Sequence, residues 1–429
     1  MSKTIQAAFG EKHKAYIQRA ANSIVSVAEG AVRAGKTIDN IAAFAWQLEK
    51  GTPDRIHLAT GSTSANAKLN IGDANGFGLE YIFRGRCKWA KYRGNEALII
   101  FVRNRQYIVI FAGGAKADSY KKIRGNSYGM WIATEINLHH DATIKEAFNR
   151  QLAAKNRRIF WDLNPSSPGA LIYTDYIDRF RDQFGSGYNY EHFTIRDNAT
   201  ISAQRLAEIE AQYIPGSLWY RRDILGERCD AIGIIYQTFA ENQENFIIAS
   251  PPPIWRANIG VDFGGGTSGQ AFVCVGFQPR DSGIVILHEF YKKAAMTPET
   301  LCNAFVDFVR ECQAKWFVAD VYCDSAEQTL INGLRVAAYR AGVRVNIGNA
   351  LKKPINERIR GVSMLMGSGR FKIMSTCKNT IQSLSTAVWD EKKPVDDVRL
   401  DDGTINIDVI DAMEYACERE LPNMVEIYK

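Results

Sequence analysis

The chain of 429 residues has little of what marks secreted, membrane or zinc-held proteins. Its eight cysteines stand singly, at positions 87, 229, 274, 302, 312, 323, 377 and 417, with no CxxC pair. That spacing argues against a zinc site and for reduced, buried thiols in a cytosolic protein. The six histidines form no HExxH pattern, the helical signature of many zinc proteases. No apolar run approaches the roughly 20 residues that a membrane span needs. Residues 1–14 are polar and mixed in charge, unlike a secretory signal. No internal repeat or low-complexity tract is visible.

The composition is that of a globular protein, with 46% hydrophobic and 23% charged residues. The length predicts two domains of about 200 residues each. A net charge of +6 permits a polyanionic partner without requiring one. Basic residues cluster at Arg84, Arg86, Lys88, Lys91 and Arg93, at Lys121, Lys122 and Arg124, and at Arg157-Arg158. Taken singly, each cluster reads first as a solvated face. Tyr81, Phe83, Trp89 and Tyr92 interleave the first, which adds to a nucleic-acid reading there.

The first half alternates strand-like and helix-like segments. Strands are expected over residues 24–28, 56–60, 130–133 and 158–163, with a hairpin over 97–111. Ile38, Ile41, Phe44, Ala45 and Leu48 share one face of a helix over 36–50. Such alternation predicts an α/β domain with a mainly parallel sheet over residues 1–213. Residues 214–250 read as an inter-domain linker, and Pro251-Pro252-Pro253 as a stiff stop. Residues 251–429 open on three strands in a meander, over 259–263, 270–276 and 283–291, as an RNase H-like domain does.

Gly30-Ala31-Val32-Arg33-Ala34-Gly35-Lys36-Thr37 fits GxxxxGK[ST] between an expected strand and an expected helix. The glycines let backbone N–H groups surround phosphate oxygens, and the helix N-terminus adds its dipole. Lys36 would reach the β- and γ-phosphates of ATP, and Thr37 would ligate Mg²⁺. Arg33 reads either as a packing residue or as a cis-acting arginine on the transferred phosphoryl group. The apolar run 130–133 ends at Thr134-Glu135, where Glu135 could polarise the attacking water. Asn164, held extended before Pro165, could sense the γ-phosphate.

A second constellation is carboxylic. Asp262 lies within an apolar strand, which is costly for an acid that is neither paired nor metal-bound. Asp324 falls at the end of a second strand, and Asp408 and Asp411 fall on one face of a late helix with Tyr415. Asp262, Asp324 and Asp411, with Asp408, are candidates for holding two Mg²⁺ or Mn²⁺ ions roughly 3.5–4 Å apart. Lys352, Lys353, Arg358 and Arg360 could contact a nucleic-acid backbone near them, or form a solvated loop.

Together these motifs resemble the large terminase subunit of tailed bacteriophages, in family order along nearly the whole chain. The loop with its internal Arg33, Tyr128 to Glu135, and Asn164-Pro165 look like the family's ATPase motifs. Trp219-Tyr220-Arg221-Arg222 with Leu225-Gly226-Glu227 is similar to its inter-domain region. Gly260-Val261-Asp262-Phe263-Gly264, Asp324-Ser325-Ala326-Glu327 and Asp411 to Ala416 resemble its three nuclease motifs. Two positions depart from the pattern. Thr134 stands where the family usually has Asp, and Asp408 where many relatives have His.

The resemblance implies an ATP hydrolase joined to a two-metal endonuclease that moves and cuts double-stranded DNA. It also implies a portal protein, a small terminase subunit and a homo-oligomer, expected to be a pentamer, on a procapsid in the host cytoplasm, without a membrane. Other readings remain open on the residues alone. One is a P-loop translocase or helicase with a non-catalytic C-terminal domain, and another is a scaffold with vestigial loops.

Overall fold

A computed structural model of the chain describes residues 9–264, 269–293, 296–393, 396–402 and 405–425. The chain forms two compact units. One comprises Met1–Leu206 with Leu218–Cys229, and the other comprises Ala207–Ser217 with Asp230–Lys429. Residues 218–229, inside the segment read as a connection, thus belong to the first unit.

The first unit is built on β1 (Val25–Gly30), β2 (Ile56–Gly61), β3 (Cys87–Tyr92), β4 (Asn95–Val102), β5 (Arg105–Gly113), β6 (Met130–Ala133), β7 (Arg158–Leu163) and β8 (Tyr188–Phe193). Among the described residues they form one sheet in the order β3-β4-β5-β2-β6-β7-β1-β8. All neighbours from β5 to β8 run parallel, while β3 and β4 pair antiparallel at one edge. Continuous burial along β1, β6 and most of β7 follows, because a parallel sheet is covered on both faces. One cover includes α2 (Lys36–Lys50), whose Ile41, Phe44 and Leu48 are fully buried. On the opposite side Trp131 and Trp161 meet edge to face with centroids 5.2 Å apart.

The basic-aromatic cluster of residues 84–93 folds as the edge strand β3. Phe83 is buried and Trp89 packs on Phe111, with ring centroids 5.0 Å apart. These two rings serve the core, while Arg84, Lys88 and Lys91 stay exposed. The cluster offers positive charge but no exposed stacking platform from Phe83 or Trp89.

The second unit carries β9 (Ile247–Ile248), β10 (Arg256–Asp262), β11 (Gln270–Phe277), β12 (Ile284–Lys292), β13 (Val318–Cys323), β14 (Asn346–Asn349) and β15 (Phe371–Met374). Their order is β14-β13-β10-β11-β12-β15-β9. The expected meander is present: β10 pairs antiparallel with β11, and β11 with β12. β13 joins β10 in parallel.

The helix Asp408–Cys417 crosses β10 so closely that a Cβ on Gly260 would collide with the Ala412 carbonyl. Asn258 seals the same contact by donating to the Ala416 carbonyl at 3.2 Å. Gly260→Ala is expected to lift this helix from the sheet and to cost about 3 kcal/mol or more, the upper range of overpacking. A thermal melt that shifts by less than a degree would contradict this close approach.

Candidate active sites: a phosphate-binding loop and a carboxylate cluster

The glycine-rich loop leaves the end of β1 and enters α2. Gly30 has a φ of 147° and lies against the Phe193 carbonyl, where no Cβ fits. The Gly226 turn closes on the same place, its would-be Cβ 2.7 Å from the Ala31 nitrogen. His192 accompanies it with Nε2 2.9 Å from the Gly226 carbonyl. The loop is therefore clamped by β8 and by a turn nearly two hundred residues away, a role for Gly226 that sequence reading missed.

Lys36 is buried, and its ammonium donates to the carbonyls of Gly30 at 2.9 Å and Ala31 at 2.5 Å and to Asn164 Oδ1 at 3.0 Å. A buried cation must be paired in this way. Burial still pulls its pKa down to about 8, against the attraction of Asp162, Glu29, Glu135 and Asp223. Gly35 caps α2 with a φ of 94°, and Ala34 is buried behind it. Arg33 is exposed at a φ of 59°, and its carbonyl accepts from Asn198 at 2.6 Å.

Strand order explains why Glu135 and Asn164 join this loop. β7 lies beside β1, and β6 lies beside β7. Asn164 follows β7 and Glu135 follows β6, so both emerge at the end of the sheet where the loop leaves β1. Glu135 has left-handed backbone angles (φ 52°, ψ 52°), a strained conformation of the kind found where a side chain must be aimed. Its N–H donates to Asp162 Oδ1 at 3.1 Å.

Beside the loop, Phe9, His13, Ala34, Gly35, Ile38 and Phe77 contribute to a mainly apolar cavity of about 120 Å³. His13 Nδ1 stands 2.6 Å from Asp39 Oδ2, and its ring stacks on Phe193 at 4.6 Å. Burial pushes Asp39 up to about 6, even with His13 beside it. His13 and Asp39 are 26 residues apart, and nothing in either local sequence signals the pair.

The carboxylates gather around the end of β10. Asp262 is its last residue rather than a mid-strand position. Asp324 follows β13, with its N–H donating to the Val261 carbonyl at 3.0 Å. Asp408 opens the helix Asp408–Cys417 and accepts from the Gly269 N–H at 2.7 Å. Burial, then Asp411, Asp408 and Asp324, push Asp262 up to about 8, with Lys352 opposing. Four acids thus act on one another in one place: Asp262 and Asp324 from two strand ends, and Asp408 and Asp411 from the first turn of one helix.

Cations hold them. Lys352 reaches Asp324 at 2.7 Å. Arg358 and Arg399 both reach Asp411, at 2.9 and 2.8 Å, and both reach Glu414, at 2.7 and 3.2 Å. Burial works to raise Asp411, but Arg399 and Arg358 outweigh it and keep its pKa low. Arg358 is 3% exposed, so it is an internal partner of the cluster and not a surface contact for DNA. Arg399 was missed; its flanks of Val398 and Leu400 within an acidic stretch were the available hint. Glu418 accepts backbone N–H groups of Leu351, Lys352 and Lys353, which fixes the loop bearing Lys352. As placed, no three His, Cys, Asp or Glu side chains among the described residues stand ready to share one ion.

Residues 259–420, which contain all four acids, match the family described as the terminase RNaseH-like domain. No curated protein sequence matches the chain. The large terminase of a thermophilic bacteriophage has a similar structure, with 20% identity over 96% of this chain and 99% of that chain and a TM-score of 0.81. The same protein in complex with ADP gives 19%, 95%, 98% and 0.78 for these measures. In complex with ATP-γ-S it gives 19%, 95%, 98% and 0.77. The resemblance drawn from the motifs is borne out, and the fold shared with these structures, an α/β unit with a mainly parallel sheet and an RNase H-like unit, spans the chain.

Proposed function

We propose that the chain is a large terminase subunit, which uses ATP to drive double-stranded viral DNA into a procapsid and cuts concatemeric DNA with a metal-dependent nuclease. The observation that carries the proposal is the pairing, on one chain, of a phosphate loop beside Glu135 and Asn164 with a four-carboxylate cluster in a terminase RNaseH-like domain.

In the first unit, Lys36 would exchange its loop carbonyls and Asn164 for the β- and γ-phosphates, and Thr37 would meet the Mg²⁺ of ATP. Releasing Lys36 frees the Asn164 amide to register the γ-phosphate. Glu135 would orient the attacking water, and Arg33 would reach the transferred phosphoryl group. The nucleotide base has a fitting seat in the apolar cavity beside Gly35. In the second unit, Asp262, Asp324, Asp408 and Asp411 supply the hard oxygen donors that Mg²⁺ or Mn²⁺ prefers. Such ions provide an activated water and charge neutralisation at the leaving oxygen. Their arrival would require Asp324 and Asp411 to loosen Lys352, Arg358 or Arg399. The partners follow the same reading: a portal protein, a small terminase subunit and a homo-oligomer, expected to be a pentamer, on a procapsid in the host cytoplasm. No described helix is long and apolar enough to cross a membrane.

The arginine-bound state of Asp411 and Glu414 favours a second reading, a DNA translocase whose C-terminal unit does not cut. Supercoiled plasmid with the purified chain and Mg²⁺ or Mn²⁺ separates the two. Terminase predicts nicking and linearisation that EDTA abolishes, alongside DNA-stimulated ATP turnover. ATP turnover without any cutting in either metal would favour the translocase.

A further inference from the structure

Thr134 leaves the acidic strand β6 without the carboxylate that a magnesium-dependent ATPase needs beside its catalytic acid. The register of β6 on β7 pairs Ala133 with Trp161. Carried one residue further, it sets Thr134 opposite Asp162. Thr134 Oγ1 donates to Asp162 Oδ1 at 3.2 Å, and the Glu135 N–H donates to the same oxygen at 3.1 Å. Asp162 is 3% exposed, and its other oxygen, Oδ2, is buried with no hydrogen-bond partner among the described residues. An uncommitted carboxylate oxygen in such a place is costly unless something positive meets it. Burial pushes the Asp162 pKa up, against the Glu135 N–H, Lys36 and the Thr37 hydroxyl, which favour its charged form. Among charged neighbours of Lys36, Asp162 exerts the largest pull.

We propose that Asp162, displaced by one strand from the usual position, supplies the carboxylate of the nucleotide's Mg²⁺ site. It does so while holding Thr134 and the Glu135 backbone in place through its other oxygen. The inference rests on the phosphate-loop reading of residues 30–37. It explains how a threonine is tolerated at the end of β6: the negative charge is conserved in space and moved in sequence. It also explains why an aspartate sits in the strongly apolar β7, where the sequence offers no other reason for one.

The test is the affinity for a fluorescent ADP analogue, measured with Mg²⁺ and with EDTA. Wild type should bind more tightly with Mg²⁺. Asp162→Asn should keep the EDTA affinity and lose about tenfold or more of the Mg²⁺ enhancement, the scale on which metal-supporting groups act. The double variant Thr134→Asp with Asp162→Thr keeps one charge in the same space, and it should recover most of that enhancement. It also provides the reading if Asp162→Asn alone does not fold. A full Mg²⁺ enhancement in folded Asp162→Asn, or a folded double variant without recovery, overturns the assignment to Asp162 alone. If wild type binds no nucleotide in either condition, the phosphate-loop reading falls and takes this inference with it.

Discussion

Lys36→Ala is expected to reduce ATP turnover by more than about 100-fold, the scale of removing one preorganised charge from a phosphoryl or oxyanion site. Plasmid cleavage should continue, because the carboxylate cluster lies in the other compact unit. The substitution also leaves Asn164 Oδ1 and two loop carbonyls without their donor. A loss of about 1–3 kcal/mol in the first unit is therefore expected as well. A thermal melt that still shows the first unit's transition establishes that a dead ATPase is not an unfolded protein. The lysine also carries a pH signature. With its pKa pulled down to about 8, the free loop loses its charge as pH rises through that value. KM for ATP should then climb above about pH 8, well before a solvated lysine would titrate. Unaltered turnover in Lys36→Ala would remove residues 30–37 from the phosphate site.

Asp262→Asn is expected to bring DNA cleavage to background while ATP turnover persists. The same position gives a test that needs no substrate. The Asp262 carboxyl has an ordinary value of 3.8 and is pushed up to about 8 in the fold. Between those values the folded state holds a proton that the unfolded chain has released. Stability of the metal-free second unit therefore falls as pH rises through that window and levels off above about 8. Mg²⁺ or Mn²⁺ should offset the loss, so the metal should raise Tm more at pH 8 than at pH 5. Each unit of pKa corresponds to about 1.4 kcal/mol, and each kcal/mol to about 2–4 °C in a domain of this size. Asp262→Asn should be more stable than wild type without metal at pH 8, and it should respond less to metal. Cleavage at the wild-type rate in Asp262→Asn would take the nuclease assignment away from the cluster, whatever the melts showed.

Several elements were legible because their signals are local. The helix Lys36–Lys50 and the strands Met130–Ala133 and Arg158–Leu163 have the bounds that periodicity and glycine punctuation indicate. The GxxxxGKT spacing needs only eight consecutive residues, and the meander after Pro253 shows in successive apolar runs. β3 was not legible as a strand, because its basic residues and half-buried Trp89 look alike whether they face solvent or DNA. β8, β14 and β15 were also missed, since polar residues interrupt Tyr188–Phe193, Asn346–Asn349 and Phe371–Met374 and leave no continuous apolar run.

The sequence by itself determined the two candidate sites on which the proposed chemistries rest, the phosphate loop and the recurring acids of strands and a late helix. It also determined the family resemblance, because those motifs keep their order along the chain. Only the tertiary structure decided what each group is paired with. Pairing depends on strand order and close approach, and these join residues far apart in sequence. Gly226 closes the loop that begins at Gly30, and Arg399 and Arg358 meet on Asp411. A register between two parallel strands brings Asp162 under Thr134. Charges that look free in sequence are spoken for in the fold, because a buried charge must find its partner wherever the chain brings one.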